Sequence, residues 1–386
     1  MSDLLVVVVF CIAALLVHIG SIAIVLIRRT RRPGPFALRH AQAGMTIIRP
    51  VCGLENNIEA TLRSTFHLDH AGPCQILFCV DQPNDPTVPL IERLIVEHPR
   101  HDARLLIGTD RINANPKLNN MAKGWRAVRY DWVIMADSNV LMPRDYVARL
   151  LGAWRADTGL VCSPPVGTAP DGFAALLECA FLNSFQARWQ LMADQFGCGF
   201  AQGKTMLWRR TLLERAGGIA ALGTELAEDA AATKLVRAEG LKVQLTDTPF
   251  PQPLGRRRFG EVWRRQVRWA SLRRTSFPLL FYPEVLAGGF FPFIAALALV
   301  VADVLPPLAL PLLVVLWYAA ELAFSRLFRW PASPGLVGAL LARDLLLPLL
   351  WLAAMLGRGY TWRGNVVRLE DPDADPAIAT GDEQRA

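Results

Sequence analysis

The chain has 386 residues, 52% of them hydrophobic and 19% charged, and its mean hydropathy is positive. That is too apolar for an ordinary soluble protein and leaves room for one domain of roughly 230 residues beside membrane helices. The formal charge of +7 gathers in Arg28-Arg29-Thr30-Arg31-Arg32 and between Arg256 and Arg274, both next to apolar segments. Such placement suits anionic lipid headgroups and, in the second stretch, phosphates; no nucleic-acid partner is expected. The seven cysteines show no CxxC spacing, which argues for reduced thiols rather than a disulfide framework or a zinc site.

From Leu4 to Ile27 the chain carries no Asp, Glu, Lys or Arg, enough to cross about 30 Å of hydrocarbon as a helix. A signal peptide would carry its positive charge before the apolar run. Here the arginines follow it, so residues 1–27 are expected to be a signal anchor whose C-terminal end faces the cytoplasm. Pro33-Gly34-Pro35 breaks the helix inside a basic linker over 28–44.

From Met45 the pattern becomes α/β. Strands are expected at Thr46–Pro50, Gln75–Val80, Ala103–Ile107 and Trp132–Ala136, with helices at Asn57–Phe66 and Val88–Glu97. Short apolar strands alternating with amphipathic helices predict a mostly parallel sheet covered on both faces, which binds ligands beyond its carboxyl ends. Asp81 and Asp137 both follow strands directly. A carboxylate there can hold Mg²⁺ or Mn²⁺ against a nucleotide diphosphate; Asp-Ser-Asn at 137–139 is also an ordinary turn. Asp85, in Asp81-Gln82-Pro83-Asn84-Asp85-Pro86, is the alternative to Asp81.

Apolar residues at near-helical spacing mark Gly172–Met192: Phe173, Leu176, Leu177, Ala180, Phe181, Phe185 and Trp189. The stripe is either core or an interfacial helix that admits a lipid. Gly197-Cys198-Gly199-Phe200-Ala201-Gln202-Gly203-Lys204 permits close backbone approach to a ligand or a tight turn. Glu228-Asp229 opens a helical run to Val236, where a carboxylate can serve as a base. Arg265-Gln266-Val267-Arg268-Trp269 offers guanidinium groups and a stacking face. Apolar segments follow at Leu279–Val301, Leu305–Phe324 and Leu336–Leu356, the last holding Arg343-Asp344, a pair that must face protein or water. Two or three C-terminal helices over 279–357 are expected. The acidic tail from Glu370 reads as disordered.

Asp81, Asp137, Asp229 and Arg265-Gln266-Val267-Arg268-Trp269, in this order and just ahead of a membrane segment, resemble the D, D, D, (Q/R)xxRW pattern of glycosyltransferase family 21, the ceramide glucosyltransferase-like enzymes. Asn115-Pro116-Lys117-Leu118-Asn119-Asn120 looks like the segment that precedes the family's second aspartate. The resemblance covers roughly residues 45 to 280 and implies a cytoplasmic GT-A catalytic domain over 45–278. By resemblance Asp81 contacts the uridine end of a UDP-sugar, and Lys117 joins the donor-binding set. Asp137 coordinates Mg²⁺ or Mn²⁺ and the diphosphate, although the usual second acid of a DxD motif is Asn139 here. Asp229 acts as base in an inverting transfer, with Glu228 as its neighbouring alternative. Arg265, Arg268 and Trp269 bind the diphosphate and close the acceptor side.

The implied reaction moves glucose from UDP-glucose to the primary hydroxyl of ceramide, at the bacterial inner membrane. Transfer from UDP-N-acetylglucosamine to a hopanoid, or to another lipid, stays open. A polysaccharide synthase would need more helices to enclose a channel. Because lipid chains leave the bilayer at a cost of about 0.8 kcal/mol per CH₂, the Asp229–Trp269 region is expected to open at the membrane surface. Phe181, Phe185 and Trp189 are expected on its lipid side.

Overall fold

The computed structural model describes residues 2–30, 36–357, 359–362 and 365–368. Arg31 and Arg32, the Pro33-Gly34-Pro35 break, Arg358, Arg363 and the acidic tail from Glu370 lie outside them. The strands are β1 Met45–Val51, β2 Cys74–Val80, β3 Asp102–Ile107, β4 Trp132–Ala136, β5 Thr158–Cys162, β6 Pro165–Asp171, β7 Thr205–Arg209, β8 Lys242–Leu245, β9 Phe250–Arg256, β10 Gly359–Trp362 and β11 Asn365–Arg368. The chain forms two compact units, one of Arg31–Val166, Ala193–Pro253 and Arg358–Ala386, the other of Met1–Thr30, Gly167–Met192 and Leu254–Gly357.

The first unit is built on a seven-stranded sheet in the order β3-β2-β1-β4-β7-β5-β8. Every pairing is parallel except those of β7, which runs antiparallel to β4 and β5. All seven residues of β1 and all five of β4 are buried, as expected of central strands covered on both faces. Ile47 stands opposite Ile76 on one side and Ile134 on the other, and Ile134 opposite Leu207. Helices Val88–Glu97, Pro116–Arg126, Tyr146–Ala153 and Glu228–Ala238 accompany the sheet. The amphipathic Val88–Glu97 helix turns Val88, Ile91 and Leu94 inward onto a core with Phe66, Phe78 and Val80. Pairs β6-β9 and β10-β11 make two small sheets. The seven cysteines are all free.

The second unit is helical. Among the described residues, three of its helices are long and apolar enough to cross a membrane: Leu4–Arg29, Ala309–Leu327 and Gly335–Leu356. Pro278–Ala287 and Phe290–Val301 form a pair bent by 46° that passes the same test together, so the first apolar C-terminal segment is broken rather than straight. The cause is local: Gly288 and Gly289 interrupt the helix between the two pieces.

Arg343 and Asp344 face protein. Arg343 donates to Glu321 from Nη1 at 2.8 Å and Nη2 at 2.9 Å, to Ser184 Oγ at 2.8 Å and to Asp344 at 2.9 Å. Tyr318 Oη donates to Asp344 at 3.0 Å. On the other side of Glu321 the buried His18 ring stacks on Trp317 at 3.7 Å and accepts from Arg188 at 3.0 Å. The Arg343 guanidinium thus stands with the Glu321 and Asp344 carboxylates among the apolar helices, which satisfies these charges internally where lipid could not.

The Phe173–Cys179 helix continues through a π-helical stretch, Ala180–Ala187, into Arg188–Gln195. Phe181 and Phe185 are 2% and 3% exposed and pack with Val262, Phe281, Trp317 and Leu340. They are core of the helical unit, which corrects the expectation that they form an open lipid-side wall. The stripe is shielded by other helices, and its periodicity alone does not distinguish that from a bilayer. Residues 167–192 and 254–278, expected in a catalytic domain over 45–278, belong to this helical unit.

Candidate active site

The site begins with a consequence of strand direction. β4 ends at Ala136, and its antiparallel neighbour β7 begins opposite it at Thr205. Asp137 and the Gly203-Lys204 pair therefore meet at one edge of the sheet, where the Asp137 N–H donates to the Lys204 carbonyl at 3.1 Å. Arg49, fully buried on β1, holds this corner. Its guanidinium donates to the carbonyls of Asp137, Ser138 and Val140 at 2.8, 3.0 and 2.8 Å, and to Thr61 O and Thr65 Oγ1 at 2.7 and 2.6 Å. Burial lowers its pKa to about 10, so it stays charged at neutral pH.

Asn115 to Asn120 brings a lysine to the same edge. Asn115 caps the Pro116–Arg126 helix by accepting from the N–H groups of Lys117 and Leu118, with Pro116 at the first helical position. Asn119 Oδ1 accepts from Ile112 and Asn113 N–H at 2.7 and 3.2 Å and folds the preceding loop. Asn120 Nδ2 donates to the Cys79 and Val51 carbonyls at 2.8 and 3.3 Å, pinning the helix to the ends of β2 and β1.

Lys117 is then placed among three acceptors. Its Nζ lies 2.6 Å from Asp137 Oδ1, 2.5 Å from Glu228 Oε1 and 2.6 Å from the Gly203 carbonyl oxygen. Burial would lower the pKa of this ammonium, but Asp137 and Glu228 outweigh it and raise it. Lys204 takes the other oxygen of Asp137 at 2.8 Å. Burial pushes the Asp137 carboxyl up, yet the two lysines prevail and hold it well below the usual carboxylate range. Glu228 is committed twice over, since its Oε2 also accepts from Asn115 Nδ2 at 2.7 Å.

Asp229 differs from Glu228. Its Oδ2 accepts from the Gly203 N–H at 3.1 Å, and neither lysine makes an ion pair with it among the described residues. Burial first, and the neighbouring Glu228 charge second, raise its pKa to about 6, against the opposing pull of the Gly203 N–H and Lys117. Gly203 sits between all these groups: a Cβ there would come 2.6 Å from Glu228 Oε1, 3.0 Å from Lys117 Nζ and 3.5 Å from Asp229 Oδ2.

The two aspartates after β2 separate cleanly. Asp85 accepts from Gly53 N–H at 2.9 Å and from the N–H and hydroxyl of Thr87 at 2.8 and 2.6 Å, closing the turn before the Val88–Glu97 helix. Asp81 keeps a buried Oδ1 with no hydrogen-bond partner.

The Arg265–Trp269 motif belongs to the helical unit, on the Phe259–Ser276 helix. Arg265 pairs with the fully buried Glu178, which also accepts from Arg257 Nε at 3.1 Å. Gln266 Oε1 accepts from Gln186 at 2.8 Å. Trp269 packs beside Ala175, Cys179, Leu182 and Leu254, and Arg268 is half-buried. Asp81, Lys117, Asp137 and Asp229 all lie in the other unit.

Sequence reasoning missed Arg49, Glu55, Glu178 and the part played by Lys204. Arg49 did carry a signal, a lone charge inside an otherwise apolar strand. Glu55 and Lys204 look like ordinary loop residues. Asn139 joins them: Lys204 Nζ donates to its Oδ1 at 3.1 Å and its Nδ2 donates to Glu55 Oε2 at 3.0 Å.

Among the described residues no group of three or more His, Cys, Asp and Glu side chains could hold a metal ion. A hard cation carried on a diphosphate needs less, one or two carboxylates with phosphate oxygens and water. The Lys204 ammonium already stands between Asp137 Oδ2 and Asn139 Oδ1, a cation on an oxygen pair. These residues fit Mg²⁺ or Mn²⁺ arriving with a nucleotide.

A mostly parallel sheet with carboxylates gathered beyond its strand ends, in a chain that also carries apolar spanning-length helices, gives a mixed α/β fold of the GT-A type whose ligand edge lies at those strand ends. The model of glycosyl transferase family 21 matches residues 5–374, and the chain belongs to that family. Ceramide glucosyltransferase 3 of Caenorhabditis elegans is 25% identical over 338 residues, 84% of this chain and 72% of that one. Ceramide glucosyltransferase 1 of the same organism is 27% identical over 245 residues, 63% and 52% of the two chains. The ceramide glucosyltransferase of Candida albicans is 41% identical over 108 residues, 25% and 20% of the two chains. The chain spans less than two thirds of the second and third of these relatives. Among solved structures, the mannosyltransferase PcManGT of Pyrobaculum calidifontis, in complex with GDP-mannose and Mn²⁺, has a TM-score of 0.48 at 20% identity, over 91% of this chain and 98% of that one. Glucosyl-3-phosphoglycerate synthase of Mycobacterium tuberculosis, with Mn²⁺, UDP-glucose and phosphoglyceric acid, has a TM-score of 0.38 at 17% identity, over 64% and 86% of the two chains.

Proposed function

We propose that this glycosyltransferase moves glucose from UDP-glucose to the primary hydroxyl of ceramide with inversion, and that Asp229 is the general base. The observation that carries the reading is the division of labour between adjacent carboxylates. Glu228 is bound by Lys117 and Asn115, while Asp229 has backbone donors, no lysine ion pair among the described residues and a raised pKa of about 6. A base whose pKa lies near the operating pH is ionised at neutrality and still accepts a proton readily. The relatives' names support ceramide as acceptor and glucose as the sugar.

In this reading Asp81 binds the uridine end of the donor with the carboxylate oxygen that has no protein partner. Lys117 and Lys204 lie beside the diphosphate, and Asp137 with Asn139 Oδ1 would hold a divalent cation. When bound, that cation neutralises charge on the departing phosphate oxygen. The acceptor oxygen bonds to the anomeric carbon as the bond to UDP breaks. The electron pair leaves with the β-phosphate and the hydroxyl proton passes to Asp229. Arg28 and Arg29 after the first apolar helix suit a cytoplasmic catalytic unit at a bacterial inner membrane.

The test is a purified, detergent-solubilised protein given a panel of UDP-sugars and ceramide in mixed micelles, with Mg²⁺ or Mn²⁺, and its products read by mass spectrometry. β-Glucosylceramide formed from UDP-glucose alone is expected. Transfer only from another sugar nucleotide, or only to a hopanoid or other lipid, would replace the substrate assignment.

A further inference from the structure

The second acid of a DxD pair is absent at position 139, and the amide that replaces it is tied at both ends. Asn139 is 8% exposed. Its Nδ2 donates to Glu55 Oε2 at 3.0 Å, while its Oδ1 accepts from Lys204 Nζ at 3.1 Å, beside the Lys204–Asp137 contact of 2.8 Å. An amide has one accepting and one donating end. Turned by half a rotation, Asn139 would present its NH₂ to the cation and oppose it. Glu55 prevents that turn, because an ionised carboxylate accepts and cannot donate.

We propose that Glu55 is a positioning residue of a cation site at Asp137 and Asn139: it holds the Asn139 carbonyl oxygen toward the cation and supplies, one hydrogen bond away, the negative charge that asparagine lacks. Partners one step beyond a metal's own ligands act in this way by orienting the ligand and strengthening it as a donor. The structure supports the placement from two sides. Glu55 lies four residues beyond the end of β1, and Arg49 on the same strand anchors the carbonyls of Asp137, Ser138 and Val140. One strand and its following loop thus set both the backbone and the amide of this corner. The inference rests on the reading that a divalent cation accompanies the donor diphosphate at Asp137.

Mn²⁺ binding to the full-length protein in detergent, followed by electron paramagnetic resonance with and without UDP, tests it. Wild type should bind Mn²⁺ with UDP present. Glu55→Leu should weaken that binding by about 10–100-fold, with UDP affinity in the absence of metal unchanged. Adding Asn139→Asp to Glu55→Leu should restore Mn²⁺ affinity, because a carboxylate presents an oxygen whichever way it turns. If wild type binds no Mn²⁺ with UDP, the cation reading itself falls and the proposal with it. Wild-type binding matched by Glu55→Leu overturns the role of Glu55 alone. A loss that Asn139→Asp does not repair also overturns it, by making Glu55 a support of the loop. Should Glu55→Leu fail to fold, Glu55→Gln removes the charge and keeps an acceptor. It should weaken Mn²⁺ binding by about tenfold, and a wild-type value would overturn the proposal.

Discussion

Lys117 Nζ lies 2.5 Å from Glu228 Oε1, and this contact separates the roles of two adjacent carboxylates. It ties the first turn of one helix to the first turn of another and commits the Glu228 carboxylate to an ion pair. Asp229, one residue on, keeps its raised pKa because the same lysine is not its ion-pair partner. Breaking a buried pair by removing one member leaves an uncompensated charge, at about 3–5 kcal/mol. Lys117→Met is therefore expected to lower stability by an amount of that order, discounted for the partial exposure of the site, and to raise the pKa of Asp229 further. A pH–rate profile checks the second effect: the acid limb should move above pH 6. An unmoved limb would detach Lys117 from the base.

Asp229 itself makes two predictions with defined signs. As the proposed base it acts in its ionised form, so turnover should fall about tenfold per pH unit below about pH 6. Its folded pKa is above the unfolded value, so the native state binds the extra proton between about pH 4 and pH 6. Stability attributable to this group is present below that window and lost as pH rises through it. Asp229→Asn should lose turnover by about 10²–10⁴-fold while its melting temperature, relative to wild type, rises between pH 4 and pH 7. Retained turnover would move the base elsewhere.

Gly203 should be intolerant in function and tolerant in stability. A methyl group there meets the flexible ends of Glu228 and Lys117 at 2.6 and 3.0 Å rather than backbone, so the fold can yield while the site cannot. Gly203→Ala is expected to change stability by about 1 kcal/mol or less and to cut turnover by at least about tenfold through misplacement of these groups. Measuring melting temperature and single-turnover rate together checks it; an active variant would show that the carboxylate and lysine positions are not critical.

Within the helical unit, Arg343 is the group whose removal should matter most. Arg343→Met strands Glu321 and Asp344 and should destabilise the detergent-solubilised protein by about 3–5 kcal/mol. The double variant Arg343→Met with Glu321→Met should lose less than the single one, because it removes a positive and a negative charge together. Thermal melts of the two variants decide it: additive losses would show that the Arg343–Glu321 contact of 2.8 Å is not energetically coupled.

Much was legible in the sequence because it depends on local pattern. Apolar runs of spanning length, short strands between amphipathic helices, and carboxylates directly after strands follow from composition and spacing, and they located β2, β4, Asp81, Asp137 and the Glu228–Ala238 helix. Other features depend on partners distant along the chain. Asn115 meets Glu228 across 113 residues, and that meeting, with Lys117, commits Glu228 and leaves Asp229 without a lysine ion pair among the described residues. Asp85 and Asp81 look equivalent as residues, yet three donors consume one while the other retains a buried free oxygen. Phe181 and Phe185 have the spacing of a lipid-facing stripe, and other helices cover them. A residue type and its period say what a side chain can do. Its desolvation, its ion pairs and its hydrogen-bond partners decide what it does, and those are set when distant segments pack.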